Sequence, residues 1–245
     1  MERISKSISV VLPAFNEADN LPQAVAEIDS YLKGRFSDYE ILVVSEGSTD
    51  DTPAVAEALK RIYPTVRFFE KKEWRGFGGA LRTGFAAAQK DLIFYTDADR
   101  QFDIREIDLL LPLIKHYDIV SGFKIERKDS PIRLWMSWIY NAAMRVLFGV
   151  AVKDINCAFK LYRKEVLKQM NFLPNVTEGI INAEIFIFAR QHHFTVTQVP
   201  VHHFPRQAGS PISEVGFLGG LTFINPRVIG RFIKDTVRIA KKVYW

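Results

Sequence analysis

Apolar and polar positions change places in blocks along this chain, short runs of strand formers followed by stripes at helical spacing. ISVVLPAF (8–15) is an unbroken apolar run of strand length. Behind it Leu21, Val25, Ile28 and Leu32 recur at helical intervals, with Asp19 as the expected start and Gly34 near the expected stop. YEILVV (39–44) predicts a second buried strand, SEGSTDDT a polar turn, and Val55, Leu59 and Ile62 the stripe of a second helix. The strand VRFFE (66–70), a glycine-rich loop, a helix from about Gly79 and the strand DLIFYTD (91–97) follow. The order is β, α, β, α, β, α, β, which predicts an α/β fold with a mostly parallel, Rossmann-like sheet and helices on both faces.

The second half is less regular. A helix is expected over REIDLLLPLIK, a strand at YDIVSGF (117–123), a helix at RLWMSWIYNAAMRVLF (133–148), another at AEIFIFARQ (183–191), and strand alternation at TVTQVPVHH (195–203). CAFKLYR lies between the two helices, and no stretch reads as a linker. The division expected is one elaborated α/β domain over 1–210 and a basic, amphipathic helical tail over 211–245.

Sheets of this kind bind ligands beyond the carboxyl ends of their strands. Three polar groups fall there: Asn16 with Glu17, Glu46 with Ser48, and Asp97 with Asp99. In YTDADRQFD (95–103) two carboxylates crowd the exit of an apolar strand and repel each other. They either cap the helix that follows or share a divalent cation.

Composition narrows the classes. At 245 residues, with 48% hydrophobic and 25% charged content, the chain can bury a core and carries no low-complexity block. The single cysteine, Cys157, excludes an intramolecular disulfide framework and reads as a small core residue. MERISKSISVVLPAFNE has too short an apolar stretch for a signal peptide, so a cytosolic location is expected. The longest apolar candidate, VGFLGGLTFI (215–224), falls short of the roughly 18 residues of a membrane span. A net charge of +5 and a pI near 9.2 suit an anionic partner or a merely solvated basic surface.

The glycines of RGFGG do not make a dinucleotide fingerprint, because Leu81 stands where the third glycine belongs, and no G-K-[ST] step is present. His192, His193, His202 and His203 form two adjacent pairs whose members point to different sides, so a zinc site is not expected.

Six stretches, VVLPAFNE, VVSEGSTDDT, GGALRTGFAAA, DADRQFD, DINCAFKLYRK and HFPRQAGS, occur in the order found in the family 2 glycosyltransferases, nucleotide-sugar enzymes of the GT-A fold, and the chain resembles that family over roughly residues 10–210. The resemblance is closest to transferases that load a sugar onto a polyprenyl phosphate, such as the dolichol-phosphate mannose synthases, whose arginine-bearing interface helix IRLWMSWIYN resembles. It implies a metal-dependent, inverting hexosyltransferase in which Asp97, Asp99 and Gln101 hold Mg²⁺ or Mn²⁺ on the donor diphosphate. It further implies donor contacts at Pro13, Phe15, Glu17, Glu46, Gly79 and Asp97, and an acceptor phosphate held by Lys124, Arg133, Ser137 and Arg206. Asp99, Asp154 and Arg133 would carry the catalysis.

Two departures matter. Ser45 and Glu46 stand where the family has a pair of aspartates, which bears on the nucleotide, and no Q-x-x-R-W motif is present, which disfavours polymerisation. Lys124, Arg127 and Arg133 cluster past the YDIVSGF strand. Tryptophans Trp135 and Trp138, with Leu134 and Ile139, alternate with Arg133 and Arg145, as suits a core helix or a lipid headgroup boundary. In the tail Val228, Phe232, Val237 and Ile239 oppose Arg231, Lys234, Arg238, Lys241 and Lys242.

The expected partners are a nucleotide-diphosphate sugar, a polyprenyl phosphate and the cytoplasmic face of a membrane, touched peripherally, with no nucleic acid. Two rivals are weighed. One is transfer to a sugar or protein hydroxyl with Asp154 or Glu184 as base. The other is a non-catalytic nucleotide- or lipid-binding module, which the altered Ser45 and Glu46 favour.

Overall fold

The computed structural model describes residues 4–72, 77–126, 131–173, 180–206, 208, 215–218, 221–224 and 226–244. Arg127 lies outside that set, as does the boundary placed at 210–211. The side chains of Arg133, Val228, Arg231 and Phe232 are outside it as well.

The strands β1 (Ile8–Ala14), β2 (Tyr39–Glu46), β3 (Val66–Lys71) and β4 (Leu92–Thr96) alternate with the helices α1 (Leu21–Arg35), α2 (Thr52–Ile62) and α3 (Phe77–Ala87). After them come α4 (Ile107–Leu110), β5 (Ile119–Ile125), α5 (Pro131–Phe148), β6 (Phe159–Arg163), α6 (Lys164–Lys168), α7 (Ile180–Gln191) and β7 (Val196–His202). The seven strands form one sheet in the order β3-β2-β1-β4-β6-β5-β7, parallel except for β6, which runs antiparallel to β4 and β5.

Every residue of β1 and β4 is buried, as a central parallel strand covered on both faces requires. One apolar layer joins α1 and α2 to that sheet, and the other joins α3, α5 and α7 to its opposite face. The strand order reverses between β1 and β4. The exits of β1, β2, β4 and β5 and the entry to the antiparallel β6 therefore share one edge.

Several expectations shift in detail. The first helix begins at Leu21 and runs through Gly34 to Arg35. It ends one residue past Gly34, as expected, with Phe36 in an extended conformation closing it. The residue before it is Asn20, whose side chain is turned to Glu17 instead of capping. REIDLLLPLIK breaks into a 3₁₀ turn (Ile104–Glu106), α4 and a second 3₁₀ turn (Leu113–Lys115), because Pro112 has no N–H to offer the preceding turn. In the segment read as a helical tail, a hairpin of β8 (Val215–Leu218) and β9 (Leu221–Ile224) precedes the helix α8 (Pro226–Tyr244). The paired apolar runs on either side of Gly219-Gly220 carry that hairpin signal in the sequence.

Candidate active site

The loops after β1 and β2 are laced together by short polar side chains. Asn16 takes a left-handed φ of 55°, which asparagine tolerates. Its Oδ1 accepts from Thr49 N at 2.8 Å, and its backbone N–H donates to Ser48 Oγ at 3.3 Å. Next to it the Glu17 N–H donates to Thr52 Oγ1 at 2.8 Å, and Ala18 N–H to Asp50 Oδ2 at 3.2 Å. Ser45 Oγ sits 2.8 Å from Ser48 Oγ, while the buried Glu46 accepts from Thr83 Oγ1 of α3 at 3.4 Å. Pro13, Phe15, Glu17 and Glu46 thus share one rim, with Gly79 buried in the first turn of α3.

At the exit of β4, Asp99 Oδ1 accepts from Gln101 N at 3.1 Å. The 3₁₀ turn that follows is capped by Asp103, which accepts from Arg105 N at 2.9 Å. The cap of that turn is thus Asp103, and neither Asp97 nor Asp99 caps it. Asp97 Oδ1 is enclosed and meets no hydrogen-bond donor among the described residues.

Burial and the neighbouring Asp99 charge push the Asp97 carboxyl well above its usual range. Burial likewise raises Asp99 and Glu17, the latter against hydrogen bonds from Asn20 and Arg206 that pull the other way. Three carboxylates that resist ionisation around one orphaned oxygen make a site short of positive charge. Oxygen donors of this kind suit a hard divalent cation, so the residues present fit Mg²⁺ or Mn²⁺. Among the described residues no group of three or more His, Cys, Asp or Glu side chains is arranged to hold a metal ion by itself, so a cation here would also need oxygens from other groups such as the Gln101 side chain or a bound diphosphate. Gln101 lends its Nε2 to Phe204 O at 2.9 Å, which leaves Oε1 as its free ligand atom.

Cations stand on two sides. Arg206 places Nη1 3.4 Å from Asp99 Oδ2, donates through Nη2 to Glu17 Oε1, and gives Nε to Ala208 O at 2.8 Å. The family resemblance implies that Arg206 belongs with the acceptor-phosphate residues, and here its guanidinium is engaged by Asp99 and Glu17. On β5, Lys124 Nζ lies 3.6 Å from Asp154 Oδ2, and both side chains are largely buried. Neither Asp154 oxygen accepts a hydrogen bond among the described residues. Ser137 lies on α5, half-buried.

Glu184 is elsewhere engaged: its Oε1 accepts from Leu173 N at 2.8 Å and from Lys242 Nζ at 2.9 Å. It ties α8 to α7. Ile239 of α8 is buried in the same cluster, whereas Val237 stays 48% exposed, so only part of the tail's apolar stripe faces outward.

One member of the site escaped the sequence reading. Lys160, fully buried in the middle of β6, donates to Cys157 O and to Asn182 Oδ1 at 3.2 Å, with its ammonium 5.5 Å from the Tyr95 ring centroid. Burial draws its pKa down to about 8, and its charge opposes the rise at Asp97. The signal was available in CAFKLYR, where a lysine stands between Phe159 and Leu161 of a buried strand.

The sequence pattern of Glycosyl transferase family 2 matches residues 9–170, which span the loops after β1 and β2, the carboxylate pair, Lys124, Asp154 and Lys160. The chain belongs to glycosyl transferase family 2. Among its relatives, an undecaprenyl-phosphate 4-deoxy-4-formamido-L-arabinose transferase of Pseudomonas savastanoi pv. phaseolicola is 29% identical over 214 residues, covering 83% of this chain and 60% of the relative. The dolichyl-phosphate beta-glucosyltransferase ALG5A of Trichomonas vaginalis is 29% identical over 209 residues, covering 79% of this chain and 64% of the relative. This family 2 chain therefore spans less than two thirds of the length of these relatives. Its fold matches the crystal structure of glucosyl-3-phosphoglycerate synthase from Mycobacterium tuberculosis in complex with Mn²⁺, UDP-glucose and phosphoglyceric acid, with a TM-score of 0.65 and 21% identity over 84% of this chain and 73% of that one.

Proposed function

We propose that this family 2 chain is a metal-dependent, inverting glycosyltransferase that moves a sugar from a nucleotide diphosphate to a polyprenyl phosphate at a membrane surface. The observation that carries the reading is the carboxylate pair at the exit of β4. It is held above its normal ionisation range, with one enclosed, unpartnered oxygen, and it is not used as a helix cap. Two relatives named for transfer to undecaprenyl and dolichyl phosphate support the acceptor class.

Asp97, Asp99 and Gln101 Oε1 would hold the cation, which supplies Lewis-acid stabilisation of charge on the departing diphosphate. Pro13, Phe15, Glu17, Glu46 and Gly79 bind and orient the nucleotide sugar. Lys124, Arg133, Ser137 and Arg206 hold the acceptor phosphate, whose charge would otherwise keep it from the donor diphosphate. A phosphate monoester, with a second pKa of about 6, is already ionised near neutral pH and needs no strong base. Asp154 then serves to place Lys124, and Glu184 has no part in the chemistry.

The exposed Trp135 and Trp138 of α5, at 59% and 68%, support contact with a lipid boundary. Among the described residues no helix is long and apolar enough to cross a membrane.

The test is transfer of radiolabelled sugar from a panel of nucleotide sugars, with Mn²⁺, to a short-chain polyprenyl phosphate. Label entering the butanol phase supports the reading. Transfer to phosphoglyceric acid or a sugar hydroxyl, with none to the lipid phosphate, overturns it.

A further inference from the structure

On α5, Leu134, Trp138 and Ala142 follow one another at intervals of four, and so do Ser137, Asn141 and Arg145. Residues four apart are neighbours on a helix surface, so an apolar row runs beside a polar one. Between the rows lies a groove of about 230 Å³, closed by Lys153 from the segment after the helix. That segment is fixed in place. Asn141 Oδ1 accepts from Ile155 N at 3.1 Å, the Lys153 N–H donates to Gln198 Oε1 at 2.6 Å, and Lys153 Nζ lies 4.2 Å from the Phe123 ring centroid.

Arg145 and Lys153 thus face one groove whose described lining holds no carboxylate, and among the described residues neither forms an ion pair. We propose that this groove binds the phosphate of an anionic phospholipid headgroup between Arg145 and Lys153. An arginine fork with a lysine beside it matches phosphate oxygens in charge and geometry.

The surroundings point to a lipid as the source of the phosphate. In the groove's own lining Leu134 and Trp138 leave 37% and 68% of their surfaces exposed, apolar surface for a chain next to a seat for an anion, and Trp135, Ile139, Val146 and Leu147 add exposed apolar surface elsewhere on the same helix. Ser137, assigned to the acceptor phosphate, lines one end of the same groove, and Arg145 is eight residues beyond it, about 12 Å along the helix, so the headgroup seat lies at the other end. A headgroup there would fix how α5 lies on the bilayer and so where the acceptor phosphate meets Lys124. The inference rests on the membrane-surface reading.

The experiment is co-sedimentation of the full chain with vesicles of phosphatidylcholine alone or with phosphatidylglycerol added, using R145Q/K153Q and a control of equal charge loss at exposed positions, R61Q/K72Q. We expect the unaltered chain to favour the phosphatidylglycerol vesicles. The R145Q/K153Q variant should bind them roughly thirtyfold more weakly. The control should keep its affinity, and transfer to a soluble short-chain acceptor should be unchanged in both. Equal binding by R145Q/K153Q and the unaltered chain overturns the site, as does an equal loss in the control. If the unaltered chain binds both vesicles alike, the headgroup site falls while the membrane reading stands. Binding to neither vesicle removes both. Selective displacement by inorganic phosphate, against chloride of matched ionic strength, would make the groove a soluble-phosphate site and overturn the lipid assignment.

Discussion

Arg206 Nη1 lies 3.4 Å from Asp99 Oδ2, so a residue more than a hundred positions downstream reaches the carboxylate pair directly. The same guanidinium holds Glu17, and the chain just before it is zipped to the exit of β4 by Phe204 N donating to Gln101 O at 2.8 Å. Removing a partner from a buried charge network leaves its charges uncompensated. Arg206→Ala should therefore lower stability by about 3 kcal/mol in urea unfolding with chelator present. Arg206→Lys should recover only part of that, because a point charge cannot fork to both carboxylates. No loss in Arg206→Ala would show the pairing to be incidental.

The raised Asp97 carboxyl has a pH signature. The folded chain keeps a proton there that the unfolded chain has released, so metal-free stability falls as pH rises from the ordinary aspartate value of 3.8 through the raised folded value. Asp97→Asn should flatten part of that fall and match or exceed the parent above neutrality. Chemical denaturation from pH 4 to 9 reads both. A fall just as steep in Asp97→Asn would locate the strain elsewhere.

Glu184 acts as a strut. Its Oε1 takes two hydrogen bonds, one from Lys242, so Glu184→Ala should cost about 1–3 kcal/mol of stability by leaving the Leu173 N–H unpaired and taking away the ammonium's carboxylate partner, with Asn171 O still accepting from Lys242. Turnover at 25 °C should stay within about twofold, the mark of a residue outside the chemistry. Loss of turnover with stability intact would restore the hydroxyl-acceptor rival.

Gly84 sets how closely α3 approaches the sheet, since a Cβ there would run into Val11 Cγ1 of the fully buried β1. Gly84→Ala should cost about 1–3 kcal/mol through overpacking, a fall of about 2–4 °C in Tm per kcal/mol for a chain of this size. An unchanged Tm would mean that the helix shifts freely.

The first half of the fold was legible because its apolar blocks are regular: β1, β2 and β4 are buried on both faces, and their exits carry the polar motifs. Asp97, Asp99, Glu17 and Glu46 fall on one edge as their places after separate strands required. What single-chain patterning could not show was pairing across distance. Arg206 against Asp99, Lys124 against Asp154 and Lys160 behind Asp97 depend on β6 running antiparallel between β4 and β5, which no local period records. The break at Pro112 and the hairpin ahead of α8 were written in the sequence, but in a proline and a Gly-Gly step that the helical reading passed over.

The central claim is that Asp97 and Asp99 are there to hold a cation on a nucleotide sugar. Calorimetric titration of nucleotide sugar into the chain, with and without Mn²⁺, alongside denaturation of Asp97→Asn and Asp99→Asn, tests it most directly. The account predicts donor binding that needs the metal, and variants that fold as well as the parent yet lose that binding by on the order of a hundredfold. Variants destabilised by several kcal/mol that still bind donor as tightly as the parent would contradict it and make the pair a structural element.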